Sequence, residues 1–91
     1  MPGEVYEEQI TTSDTTAHAV ESAQKYLKFG VIYVDTQNCY IGDKDNQRLL
    51  LEACSPVDMS KALPLVNVDL ATLYYKAATS GSVVHIVGTL Q

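Results

Sequence analysis

The run Val83-Val84-His85-Ile86-Val87 is β-branched at four of its five positions. Branching at Cβ restricts χ1 and suits a pleated strand surface better than a helical turn. The chain stops at Gln91, shortly after this run, so the last strand is expected to be integral to a sheet. A second run, Leu27 to Val34, also reads as a strand. It alternates, with Leu27, Phe29, Val31 and Tyr33 on one face. Ile32 and Val34 on the other face imply that both faces are covered. The turn cluster Asp35-Thr36-Gln37-Asn38 follows, and Cys39-Tyr40-Ile41 resumes an extended run before Gly42-Asp43. That order predicts a β-hairpin with a four-residue loop.

Two segments read both ways. Between Ile10 and Lys28, Asp14 could cap a helix whose stripe is Ala17, Val20, Ala23 and Leu27, ending at Gly30. The same residues divide into a short strand Ala17–Val20, a polar loop Glu21–Lys25 and a new strand from Tyr26. Between Leu65 and Ala78, Leu70, Leu73, Tyr74 and Ala77 would line one helix face, with Asp69 as its cap. As a strand, Leu73, Tyr75 and Ala77 face one way and Tyr74 the other. Thr79-Ser80-Gly81-Ser82 is then a hairpin turn. Asp43 to Arg48 reads as a polar loop, and Leu49-Leu50-Leu51 as a short buried or edge strand. Pro56 and Pro64 mark a long irregular connection.

Ninety-one residues make one small domain with a thin core. The expected division is an N-terminal arm over residues 1–9 and a single β-domain over 10–91. Eleven acidic against six basic residues give a net charge of −5. A nucleic-acid partner would need a basic face, and an anionic membrane surface would repel this chain. No apolar run approaches the ~20 residues of a membrane span. The start, Met1-Pro2-Gly3-Glu4, does not read as a secretory signal.

Chemistry-bearing residues are sparse. Cys39 and Cys54 have no CxxC or Cys/His spacing and read as reduced, partly buried residues, with a single disulfide or a zinc site as rivals. Asp43 and Asp45 lack the remaining ligands of a calcium loop and read as a solvated turn. His85, among valines, reads as a hydrogen-bonded strand histidine, and His18 has no nucleophile motif near it. A Cys39–His85 or Cys54–His85 dyad has no supporting pattern. The expectation is a protein that is not an enzyme, without cofactor or metal. Six tyrosines against one phenylalanine suit strand packing, a protein interface or a sugar platform.

The order of three pieces carries a resemblance. These are Cys39-Tyr40-Ile41-Gly42-Asp43, then Asn67-Val68-Asp69-Leu70-Ala71-Thr72-Leu73-Tyr74-Tyr75-Lys76-Ala77-Ala78, then Gly81-Ser82-Val83-Val84-His85-Ile86-Val87-Gly88. From Ile10 to Gly88 the chain resembles the small β-domains of tailed-bacteriophage virion proteins, of the head-fibre and capsid-decoration type. It departs from them at Ser55 to Lys61, at the doubled Tyr74-Tyr75, and at Glu21 to Lys25. The resemblance implies an all-β fold, a compact antiparallel β-sandwich or small barrel with a short extended N-terminal arm. Asp69 to Thr72 then becomes a tight turn. The α+β alternative has helices at about 15–28 and 70–79.

The same resemblance implies a virion structural protein on the outer capsid surface, a decoration or head-fibre-base protein that stabilises the head. Its partner would be the major capsid protein or another virion protein, and its state a homo-oligomer, with a trimer matching threefold sites. Val5, Tyr6 and Ile10 are the expected anchors of a capsid-binding arm. Tyr40, Tyr74 and Tyr75 are the expected interface aromatics. The alternative is a tail- or fibre-associated module that reads a host-surface glycan or protein through those tyrosines.

Overall fold

The computed structural model describes residues 4–53 and 61–91. They form eight strands: β1 (Val5–Thr11), β2 (Ala17–Ala19), β3 (Tyr26–Asp35), β4 (Cys39–Gly42), β5 (Gln47–Leu51), β6 (Leu63–Asp69), β7 (Tyr74–Ala77) and β8 (Val83–Leu90). Sheet A has the order β1-β8-β3-β6 and sheet B the order β2-β7-β4-β5. Every pairing between named strands is antiparallel. β1 pairs with β8, β2 with β7, β3 with β6 and β4 with β5. The chain is thus one long double ribbon rolled onto itself, the strand order of a jelly roll.

The all-β expectation holds, and the helical alternative at 15–28 and 70–79 is corrected. The cap candidates explain why. Asp14 Oδ1 accepts bonds from the Thr16 amide and hydroxyl at 3.0 and 2.9 Å. Asp69 Oδ1 accepts from the amides of Ala71 and Lys25, at 3.0 and 3.3 Å. Short carboxylate side chains bond nearby backbone in turns as readily as at helix starts. The Thr72 amide donates to the Asp69 carbonyl at 2.9 Å and closes the expected tight turn.

Two expected hairpins are corrected to corners. β3 and β4 lie in different sheets, as do β7 and β8. The clusters at 35–38 and 79–82 therefore carry the chain from one sheet to the other. Thr36 takes φ 71, and the Gln37 amide donates to the Asp35 carbonyl at 2.8 Å. Buried Ser82 ties both corners together, its hydroxyl donating to the Gln37 carbonyl at 2.8 Å. The hairpin in sheet B joins β4 to β5 through residues 43–46.

The N-terminal segment is extended but is not a free arm. Val5 to Thr11 pairs in continuous register with β8, from Val5 opposite Thr89 to Thr11 opposite Val83. Tyr6 belongs to the core between the sheets with Leu27, Ile32, Val34, Cys39, Ile41, Leu51, Leu65, Leu70, Tyr75, Val84 and Ile86. Cys39 is buried there, and burial pushes its thiol pKa up. Whether Cys39 meets Cys54 lies outside the described residues, as does most of the proline-marked connection.

Candidate functional site

Alternation along β3 puts Phe29 on the same face as Leu27 and expects both faces to be covered, but the structure buries Leu27 and leaves Phe29 exposed on the other face. The pairing of β3 with β8 shifts register between Leu27 and Phe29, so Lys28 is an extra residue. One extra residue exchanges the faces of everything beyond it. Leu27 points inward, and Ile32 and Val34, rather than Phe29, Val31 and Tyr33, take the inner face after the bulge. Asn67 of β6, between Val66 and Val68 beside this irregularity, has φ 52. Beyond the bulge Gly30 faces Gly88. A Cβ on Gly88 would lie 2.4 Å from the Phe29 carbonyl oxygen, so neither strand tolerates a side chain there.

The bulge creates an apolar band on the outer face of sheet A. Val5 lies opposite Thr89, Thr89 opposite Phe29, and Phe29 opposite Val66, a row across all four strands. The next outward row is Glu7, Val87, Val31 and Pro64. Val5 is 76% exposed, Val66 66%, Phe29 56% and Val87 39%. Strands lie ~4.8 Å apart and outward rows ~7 Å apart, so the band covers a few hundred Å². The largest apolar patch on a typical monomer is of about this size and is often functional.

Further along this face His85 stacks on Tyr33, ring centroids 4.7 Å apart, and its Nε2 lies 2.8 Å from Asp35 Oδ2. The Asp35 carboxyl sits below its ordinary value, first through the Thr36 hydroxyl and then through His85. Val84 and Ile86 take the inner side of β8, so His85 lies across the sheet from Cys39. The structure does not bring that pair together.

The expected site residues separate. Val5 reaches the outer face of sheet A. Tyr6 points inward, and its hydroxyl donates to Glu21 Oε2 at 2.6 Å. Burial and this carboxylate raise the tyrosine pKa well above its ordinary range. Lys25 Nζ lies 5.3 Å from the same ring. Ile10 packs against the core. Thus the three expected arm anchors do not share one surface. Among the tyrosines, Tyr75 is a core residue whose pKa rises through burial. Tyr40 and Tyr74 share the outer face of sheet B, Tyr40 opposite Lys76 and Tyr74 opposite Gly42.

Beside Tyr74 the β4–β5 loop and the β6–β7 turn border a shallow, open cleft of about 370 Å³. Asp43, Lys44, Asp45, Ala71, Thr72 and Tyr74 line it. Asp43 Oδ1 holds the loop closed by accepting from the amides of Asp45 and Asn46 at 2.9 and 2.7 Å. Residues 43–46 are all exposed, so this is the expected solvated turn, closed by the Asp43 carboxylate. Gly42 is required beneath it, because a Cβ would fall 1.9 Å from the Asn46 carbonyl oxygen.

Sequence reasoning missed Phe29, Val66, Val87 and Pro64 as a surface. The available signal was an isolated glycine inside each of two strand patterns, Gly30 and Gly88, which marks a bulge or a close backbone approach.

No family model matches the chain, and no curated protein matches it. Among solved structures it is similar to a chain titled cyanophage Pam1 capsid asymmetric unit. Identity is 20% and the TM-score 0.36, over 98% of this chain and 86% of that one.

Proposed function

We propose that this chain is a non-enzymatic structural protein of a tailed-phage virion. It attaches to the outer capsid surface as a decoration or head-fibre-base protein and stabilises the head. The observation that carries the reading is the exposed row Val5, Phe29 and Val66 on the outer face of the four-stranded sheet A. The resemblance of the sequence to virion β-domains supplies the class of partner. Fold by itself does not, since jelly rolls also serve in lectins and enzymes.

The attachment differs from an arm thrown over a neighbour. With β1 held in sheet A, contact is made by a rigid face, to which the segment contributes Val5 and Glu7. A band of a few hundred Å² is well below the ~800 Å² that each partner buries in a standard interface. Single copies therefore bind weakly, and repetition around a lattice, with a trimer on threefold sites, supplies the avidity.

Cosedimentation with phage heads stripped of this protein tests the reading. Full-length protein should pellet with heads. Phe29→Glu should abolish pelleting while leaving the melting temperature unchanged, because the side chain is outside the core. Undiminished binding of that variant overturns the attachment face.

A further inference from the structure

The cleft beside Tyr74 is on sheet B, whereas the apolar band is on sheet A. Its volume, about 370 Å³, falls within the ~300–1,000 Å³ of small-molecule sites. Its wall combines an aromatic ring, the small side chains of Ala71 and Thr72, two carboxylates and one ammonium group. A purely apolar ligand would desolvate the rim carboxylate of Asp45 without offering it a partner, whereas Asp43 already accepts two amide bonds. A nucleotide or other polyanion would meet two negative charges against the single Lys44. A ligand with C–H groups on one face and hydroxyls around its edge satisfies all of these groups. The C–H groups carry partial positive charge and pack on the negative face of tyrosine, while hydroxyls donate to carboxylates.

We infer that this cleft is a saccharide site that accepts a neutral or amino hexopyranose, with Tyr74 as its packing surface and Asp45 as its hydroxyl acceptor. Asp43 is the positioning residue: its bonds to the Asp45 and Asn46 amides hold the loop over Gly42. Discrimination against acidic sugars follows from the rim charge. The inference is independent of the virion reading and stands or falls on this cleft alone.

The test uses the full chain and a defined panel at millimolar concentrations. The panel is the methyl glycosides of glucose, galactose, mannose, N-acetylglucosamine and glucosamine, with methyl glucuronide as the acidic comparison. Amide shifts are followed by two-dimensional NMR. At least one neutral or amino glycoside should shift amides confined to 43–46 and 71–74, and glucuronide should bind less well. Tyr74→Ala should weaken binding about tenfold or more, and Tyr74→Phe should retain it. Asp45→Asn, on the exposed loop, gives a second variant if Tyr74→Ala fails to fold, and it should relax the bias against glucuronide. No shifts from any glycoside, shifts elsewhere on the molecule, or stronger binding of glucuronide would each overturn the inference.

Discussion

Sheet A is built from strands of seven, eight, ten and seven residues, sheet B from strands of three, four, four and five. Long strands repeat the same pairing many times, so sheet A keeps its register even where Lys28 interrupts it. It can then leave an apolar row on its outer face without losing its pleat. Short strands place most of sheet B close to a loop or corner. There the side chains that matter sit where loops meet, as at Tyr74. One sheet offers a flat rigid face and the other a shaped edge. The difference shows how one small domain combines a long-stranded flat face with a short-stranded side shaped by its loops.

The comparison can be broken most severely at β1. Removing residues 1–9 takes away most of an edge strand of sheet A, together with core residue Tyr6. The expected outcome is loss of the cooperative unfolding transition. A truncated protein that melts like the full chain would mean that sheet A does not need its edge.

Two glycines give the next contrast. Gly88→Val forces a side chain into the Phe29 carbonyl and the facing Gly30 in sheet A. A cost of about 3 kcal/mol is expected from denaturant unfolding. Gly81, in a corner between the sheets with φ 94, has open space around its would-be Cβ. Gly81→Ala should cost only the conformational strain, about 1 kcal/mol. Equal costs would show that the close approach of β3 and β8 is not what holds sheet A together.

Tyr6→Phe keeps the ring and deletes the bond to Glu21, which ties β1 to the β2–β3 connection. A loss of about 1 kcal/mol at neutral pH is expected. The pH dependence has a definite sign. The folded-state pKa of Tyr6 is raised, so the fold favours the neutral phenol. That contribution is fully present below about pH 10, where an unfolded tyrosine ionises, and is lost as pH rises towards the folded value. Alkaline unfolding of Tyr6→Phe should accordingly be flatter than that of the wild type. An identical alkaline profile would remove the phenol from the account.

The smallest effect belongs to Asp35, whose folded pKa is lowered by Thr36 and His85 at the rim of sheet A. Its stabilisation is present above the ordinary aspartate pKa of about 4 and is lost as pH falls through the folded value. Asp35→Asn should cost under about 0.5 kcal/mol at neutral pH and make acid unfolding slightly less steep. A large loss would place the His85 cluster among the groups that hold the sheet.

Much of this was legible locally. The β-branched run at Val83 and the turn residues at 35–38 and 79–82 lie where the sequence puts them, while the polar loop expected over 43–48 ends at Asn46, where β5 begins at Gln47. Strand preference and turn chemistry are properties of a few neighbouring residues, so they can be read without partners. Asp14 and Asp69 show the limit of that reading, since the same carboxylate serves a helix cap or a turn.

What only the tertiary structure decided depends on residues far apart in the chain. It chose β8, not β4, as the neighbour of β3, and so turned two apparent hairpins into corners. It set the extra residue at Lys28, putting Phe29 on the face opposite Leu27 and at the surface, and it brought residues 43–45 beside 71–74 to form the cleft. Side chains alternate with period two, so a single inserted residue reverses inside and outside for the rest of a strand. The sequence by itself determined the strands around 27–34 and 83–87 and the turn residues at 35–38 and 79–82. Which face met water was settled when the ribbon rolled, because pairing and burial are decided by non-local packing.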